Sequence, residues 1–266
     1  MEKLTRRRAI RSLTALGIAS VGVGYYTWRW EPHWLEFTYP PLPISSLPNE
    51  LAGCTLAQIA DIHVGPQVDD AYLIESFRRV QEINPDFVAF TGDWISYRSP
   101  QQFEQLRRVL EHFPHGRLAT VGILGNHDYG RHWRMLDVAD KVTDIARAAG
   151  VTILRNQAVT LSGLQFVGLD DLWSPRFDPV ELLAQKSQDP STLVLSHNPD
   201  SADHAVWDRY QGWILAAGTF ELSGNRRMYI SRGVGHLLRV RSNVRPEIPI
   251  FRLQRAVKHS CRWLTD

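Results

Sequence analysis

The sequence predicts an α/β protein in which two β-sheets, the first largely parallel and the second mixed, pack together with helices outside. Three observations predict it. From residue 51 onward, short apolar runs alternate with stretches of helical spacing. After residue 213 the pattern turns to closely spaced β hairpins. And 266 residues, 44% hydrophobic and with nine tryptophans, suffice for one large α/β domain or two small ones with a sizeable core.

The elements follow in order. Residues 56–60 are a short apolar run ending in Asp61. Residues 70–83 carry Tyr72, Leu73, Phe77, Val80 and Ile83 at helical spacing and stop before Pro85. Residues 87–91 read as a second strand, ending in Gly92-Asp93, and 100–112 as a helix. Residues 118–124 form a third strand that runs straight into Gly125-Asn126-His127-Asp128. A helix over 133–149 is closed by Gly150. Residues 151–154, 158–161 and 164–169 read as short strands, the last two joined as a hairpin at Ser162-Gly163. A helix near 179–185 precedes a strand over 192–195 that ends in Ser196-His197. Residues 213–217 are a strand, and 219–222, 228–231, 237–241 and 248–253 read as β hairpins. There are no repeats and no low-complexity tracts.

The formal charge is +2 but unevenly placed. Residues 1–30 hold six basic side chains (Lys3, Arg6, Arg7, Arg8, Arg11, Arg29) against Glu2, leaving 24 basic and 27 acidic residues in the body. A mildly acidic body gives no argument for nucleic-acid binding, and none is expected. Cys54 and Cys261 lie far apart with no CxxC; a pair and two buried free thiols are both open readings.

Thr5-Arg6-Arg7-Arg8 precedes a modestly apolar stretch, Leu13 to Tyr26, rich in Gly, Ala and Ser. This is the layout of a charged n-region followed by an h-region. The paired arginines resemble a twin-arginine export signal. An amphipathic or membrane-anchoring helix with basic flanks is the alternative. Residues 1–30 are thus expected to be an export signal or an N-terminal anchor, with residues 9–28 as the anchoring stretch. Residues 31–50, with Pro32, Pro40, Pro41, Pro43 and Pro48, read as a stiff linker, and residues 51–266 as the working domain. The expected location is exported, in the periplasm or on the outer face of the cytoplasmic membrane.

Four strands end in the same kind of chemistry: Asp61-Ile62-His63, Gly92-Asp93, Gly125-Asn126-His127-Asp128 and Ser196-His197-Asn198-Pro199. In an open α/β sheet the carboxyl ends of parallel strands share one edge, where ligands bind. Carboxylates, imidazoles and an amide oxygen gathered there suit divalent transition metals of the Zn, Mn or Fe kind. Asp-x-His fits because alternate residues point the same way. The glycines before Asp93 and Asn126 let the backbone turn sharply beside a metal. Each piece alone reads as a solvated turn or a helix cap; four in order at strand ends do not.

On these motifs, over residues 51–254, the chain resembles the calcineurin-like metallophosphoesterases, whose signature runs DxH, GD, GNHD or GNHE, H and GHxH. The lead-in Glu31–Glu36 (EPHWLE) and the late Tyr229–Gly233 (YISRG) look like the bacterial exported or membrane-anchored branch, which includes enzymes similar to UDP-2,3-diacylglucosamine pyrophosphatases. The resemblance implies a four-layer α/β/β/α sandwich and two-metal hydrolysis of a phosphoester or pyrophosphate bond. It implies that Asp61 and His63 hold one metal, that Asp93 bridges both, and that Asn126 and His197 hold the second. His127 then protonates the leaving oxygen, braced by Asp128. Two cations about 3.5–4 Å apart acidify a water between them and neutralise phosphoryl charge. The implied substrate is a small-molecule phosphate, lipid-linked or nucleotide-linked, reached with membrane association through the N-terminus.

One part of the pattern departs. No histidine lies between His204 and His236, and the strand at 213–215 is followed at once by hairpin residues. The GHxH segment is therefore read as deleted near 215–216, which takes one imidazole from each metal and weakens the second site. His236 either reaches inward or is a loop histidine; His204 fits a helix after Pro199; His112, His115 and His132 fit helix ends or loops. Arg232, between Ser231 and Gly233, either contacts substrate phosphate or is a turn-flanking surface charge. The rival function is a catalytically impaired pseudoenzyme that keeps the fold as a binding module.

Overall fold

Period-two alternation in the central strands builds the layers of this protein, and the register of those strands decides where its polar strand ends meet. The structure is a computed structural model and describes residues 6–180, 182, 192–203, 213–216, 219–222 and 226–256. The chain runs α1 (Arg6–Tyr25), β1 (Glu36–Thr38), β2 (Pro41–Ile44), β3 (Thr55–Ile59), α2 (Asp70–Ile83), β4 (Phe87–Thr91), α3 (Gln101–Leu110), β5 (Ala119–Ile123), α4 (Leu136–Ala148), β6 (Thr152–Ile153), β7 (Gln157–Leu161), β8 (Leu164–Gly168), β9 (Thr192–Leu195), β10 (Trp213–Ala216), β11 (Thr219–Leu222), β12 (Arg226–Ile230) and β13 (Glu247–Arg255).

The first sheet has the order β1-β13-β3-β4-β5-β6, with β2 also on β13. Strands β3 to β6 are parallel, and β13 runs antiparallel to β3. The second sheet has the order β11-β12-β10-β9-β8-β7. Its inner strands are parallel, and the hairpins β7–β8 and β11–β12 close its two sides. Both sheets are thus mixed, as the sequence predicts, with helices flanking them.

Alternate residues of one strand feed different layers. Ala57 and Ile59 of β3, with Val88 and Phe90 of β4, face the helices and meet Leu73, Phe77 and Val80 of α2, Leu106 and Val109 of α3 and Val142 of α4. Their neighbours Leu56, Phe87 and Ala89 face the second sheet and meet Phe166, Leu193, Leu195 and Leu215. Phe87 and Phe166 join the sheets with ring centroids 5.8 Å apart. The far face of the second sheet buries Val167, Val194, Ile214 and Met228. Each such side chain contributes roughly 1.5–3 kcal/mol by leaving water. α2 begins where the Asp69 side chain accepts from the Ala71 N–H at 3.1 Å. It ends at Asn84, left-handed at φ 53°, before Pro85.

The structure differs from the sequence reading at four places. The Pro-rich stretch expected as a linker supplies β1 and β2, both parallel to β13; proline is tolerated there because an edge strand has no ladder on its far side. The strand expected at 248–253 among the late hairpins is β13, which crosses to the first sheet. No strand forms at 237–241: Leu238 is 80% exposed, and the Arg241 guanidinium folds the loop back by donating to the carbonyls of Arg232, Gly233 and Gly235. The helix expected from 133 begins at Leu136, because His132 and Trp133 have φ of 57° and 58°, outside the helical region. Most of the helix expected near 179–185, together with His204 and Cys261, lies outside the described residues; Cys54 is half-buried and makes no disulfide among the described residues.

α1 is charged only toward its start, and its described side chains are exposed. Among the described residues no helix is long and apolar enough to cross a membrane.

Candidate metal centre

β3, β4, β5 and β9 all end at one edge, and the loops after β3 and β4 stay paired beyond the strands. Asp61 N donates to Gly92 O at 3.0 Å, His63 N to Asp93 O at 3.1 Å and Val64 N to Trp94 O at 2.9 Å. Asp61, His63 and Asp93 sit in the left-handed region, at φ of 54°, 47° and 63°. Such a conformation costs an L-residue about 1–3 kcal/mol and persists only where its surroundings over-determine it. Here the continued ladder does so, and it turns three polar side chains toward one point.

At that point is the Asp93 carboxylate. Its Oδ2 lies 3.4 Å from His63 Nε2 and 3.4 Å from His197 Nε2. Asp61 Oδ1 is 3.7 Å from His63 Nε2, and Asn126 Oδ1 is 3.1 Å from His197 Nε2. Asp61, His63 and Asp93 each offer a ligand atom within 4.8 Å of the others, close enough to hold a metal. The rings are held from behind. His197 Nδ1 donates to the Thr91 carbonyl at 2.9 Å, and His63 Nδ1 is 3.1 Å from Ser96 Oγ. With its Nδ1 proton committed to a carbonyl, His197 points Nε2 toward Asp93 and Asn126. Acceptors so crowded call for a cation among them, and this donor set suits a divalent transition metal.

The electrostatics agree. Burial works against a charged His197, but the Asp93 carboxylate outweighs it and raises the imidazole's pKa well above its ordinary value. Burial likewise works against a charged Asp93, yet His197 and then His63 hold it below the usual carboxylate range. Burial lowers His63 to about 4, so it stays a neutral ligand. Burial raises Asp61 to about 6.

The two glycines do different work. Gly92 has φ 101°, and a Cβ there would come within 2.7 Å of Gly125 N and of His197 Nδ1. Gly125 has an ordinary φ of −102°, but a Cβ would lie 2.3 Å from Asp93 Oδ1. The first turns the chain; the second makes room for the carboxylate.

His127 is half-buried beside the cluster, its N–H donating to Asp93 Oδ1 at 2.9 Å and its ring set edge-on to His63 at a centroid distance of 5.1 Å. Asp128 was expected to brace the His127 ring, and its carboxylate turns elsewhere. Oδ2 accepts from the N–H groups of Asp93 and Gly125, at 3.0 and 2.8 Å, and Oδ1 from Trp94 and Ile95, at 2.8 and 3.1 Å. Four donors keep it a carboxylate although burial and the Asp93 charge push its pKa up.

Arg232 is a correction. Its guanidinium donates to Glu247 Oε2 at 2.9 Å and Glu36 Oε2 at 2.8 Å, tying β1 to β13 rather than facing the cluster. His236 is 3.1 Å from the Gln67 carbonyl and does not replace a missing imidazole. Two residues escape the sequence reading. Asp171 is 1% exposed and close enough to His197 and Asp93 to feel their charge. Its Oδ1 accepts from Trp173 N at 2.9 Å, while Oδ2 has no hydrogen-bond partner among the described residues. Burial raises its pKa to about 6. Arg241 pins the 232–235 carbonyls against the Asp61 loop, where a Cβ on Gly233 would lie 2.8 Å from Asp61 Cβ.

A family model described as calcineurin-like phosphoesterase matches residues 54–233. UDP-2,3-diacylglucosamine pyrophosphatase LpxG of Chlamydia muridarum is 25% identical over 321 aligned positions, covering 91% of this chain and 96% of that protein. The alignment is longer than the 266 residues here, so LpxG carries stretches that this chain lacks. Phosphodiesterase YaeI of Escherichia coli is 27% identical, with 94% of this chain and 99% of that protein covered. Among solved structures, the NAD nucleotidase of Haemophilus influenzae overlays with a TM-score of 0.41 at 14% identity, over 76% of this chain and 45% of that one.

Proposed function

Because this chain belongs to the calcineurin-like phosphoesterase family, we propose that it is a metal-dependent hydrolase of phosphoester or pyrophosphate bonds, acting on a lipid- or nucleotide-linked phosphate. The observation that carries the reading is the Asp93 carboxylate oxygen equidistant, at 3.4 Å, from His63 Nε2 and His197 Nε2. That placement supports Asp93 as a bridge, with Asp61 and His63 on one divalent ion and Asn126 and His197 on a second, of the Mn, Fe or Zn kind. Such ions supply an acidified water and neutralise phosphoryl charge. The chain's own residues do the rest. Thr91 and Ser96 fix the two imidazoles, Asp128 fixes the backbone that carries Asp93, and His127 gives the leaving oxygen a proton, a step typically worth 10²–10⁴-fold. By the same reading the N-terminal segment holds the enzyme at an outer membrane face, near lipid-linked substrate.

A specific observation favours a second reading, an impaired enzyme kept as a binding module. Only residues 217–218 separate β10 from β11, where the GHxH motif would stand. Metal analysis of residues 31–266, with turnover of bis-p-nitrophenyl phosphate in added Mn²⁺, separates the two. The hydrolase reading expects a metal stoichiometry near two, and turnover abolished by Asp93→Ala. Stoichiometry near zero, with no turnover for Asp93→Ala to remove, overturns it in favour of the binding module.

A further inference from the structure

The loop after His127 and the loop after Asp171 meet in a pair of stacked indoles. The Trp133 and Trp173 rings lie 4.7 Å apart between centroids, with planes 20° from parallel. Both remain exposed, at 36% and 47%. Two adjoining tryptophans left open to water beside a polar cluster mark a contact surface rather than a core. Their placement is over-determined. Trp133 keeps φ 58°, rare for a bulky aromatic, and His132 before it keeps 57°. Trp133 N donates to Gly130 O at 3.2 Å, and Met135 N to Tyr129 O at 2.8 Å. Trp173 is fixed through its N–H on Asp171.

The pair stands next to the proton donor. The His127 ring neighbours both the His63 ring, 5.1 Å away, and the Trp133 ring, 6.4 Å away. His132, Trp133, Arg134 and Trp173 line a cleft of about 690 Å³. Arg134 is exposed and makes no ion pair among the described residues.

We infer that this cleft is the leaving-group subsite and that it takes a nucleotide, the base against the indole pair and a phosphate near Arg134. The inference rests on the hydrolase reading above and names its substrate class, a nucleotide-linked phosphate. In hydrolysis the water oxygen bonds to phosphorus, and the bond from phosphorus to the leaving oxygen breaks. That oxygen keeps the electron pair and takes the His127 proton, while the water gives a proton to solvent. A donor must reach the leaving oxygen, so the leaving group lies on the His127 side of the cluster, and that side opens onto the tryptophans. A flat indole face with a cationic wall fits a planar ring that has polar edges. An acyl chain there would lie against Arg134 and His132.

The test is equilibrium binding to the full metal-loaded chain of uridine 5′-monophosphate, ribose 5-phosphate and dodecyl phosphate. Base stacking predicts that the nucleotide binds about tenfold or more tighter than ribose 5-phosphate. Trp133→Leu with Trp173→Leu removes that difference, and Trp133→Phe with Trp173→Phe restores most of it; a thermal melt confirms that each variant is folded. Equal affinity for the two probes in the parent protein overturns the inference, as does a preference that survives the double Leu variant. Tighter, tryptophan-dependent binding of dodecyl phosphate overturns it in favour of a lipid chain. Turnover of bis-p-nitrophenyl phosphate reports on the hydrolase reading separately: turnover without nucleotide preference sinks the subsite alone, and nucleotide preference without turnover sinks the hydrolysis alone.

Discussion

The Asp128 carboxylate accepts the backbone N–H of Asp93 at 3.0 Å, so the residue two places after the Asn126 amide sets the conformation of the central acid of the cluster. Asp128→Asn keeps one acceptor oxygen and turns an NH₂ toward N–H donors. With hydrogen bonds to a buried charge worth about 1.5–3 kcal/mol each, the expected loss is about 3 kcal/mol of folding stability, with weaker metal binding. Denaturant unfolding and a metal titration check it. A loss confined to kcat, with stability intact, would return Asp128 to the role of a His127 brace.

Metal binding is expected to release a proton. His197, raised well above its ordinary pKa beside Asp93, carries a proton at neutral pH without metal, and its Nε2 must shed that proton to become a ligand. His63, lowered to about 4, has none to lose. Affinity should therefore rise about tenfold per pH unit up to the His197 pKa. Calorimetry in buffers of different ionisation enthalpy reads the proton count, and a count of zero at pH 7 contradicts the assignment. The stability signs differ for the two rings. The raised His197 stabilises the fold below its unfolded value of 6.5 and ceases to as pH climbs through its folded pKa. The depressed His63 loses stability as pH falls from 6.5 toward 4.

Asp171 is an acid whose folded pKa, about 6, lies above its unfolded value, so once ionised it works against folding. Asp171→Asn should therefore gain about 1–3 kcal/mol at pH 8 and almost nothing at pH 4. The same change should weaken metal binding, because Asp171 adds negative charge beside His197. Unfolding curves at both pH values, with the metal titration, check this. A variant that gains stability and keeps full metal affinity would make Asp171 an idle group.

Arg232→Ala should damage the fold and leave KM alone. It strips Glu247, 4% exposed, of its cation, while Thr38 Oγ1 and the Tyr229 hydroxyl still donate to that carboxylate. The expected loss is about 2–3 kcal/mol, short of a fully orphaned buried charge. A KM for bis-p-nitrophenyl phosphate that rises several-fold while the melting temperature holds would reinstate Arg232 as a substrate contact.

Three of the four strand ends were legible because each couples an apolar run to a polar tip at a glycine or a DxH spacing, and the fourth because Ser196-His197 follows an apolar run directly; all these signals are local. What surrounds those tips was not. Asp171 follows the strand at 164–169 with no glycine or DxH spacing to mark it, and only the fold shows it shut away beside His197. Asp128 reads as a partner for the neighbouring imidazole, since nothing in the sequence shows that four N–H groups converge on it. Residues 31–50 read as a linker on proline content, yet proline content cannot register that β13 offers an edge on which β1 and β2 pair. Leu238 and Val240 alternate with Arg239 and Arg241 like a strand, and Arg241 bends them away.

β13 sits between β1 and β3, pairing Glu36 with Glu247 and Leu56 with Phe251. The first sheet therefore cannot be finished until β13, the last of its strands in chain order, has been made. Until β13 arrives, β3 offers a bare flank to any other strand nearby. The loops that carry Asp61, His63 and Asp93 ride on β3 and β4, so a foreign strand taken onto that flank would displace β13 right beside the cluster.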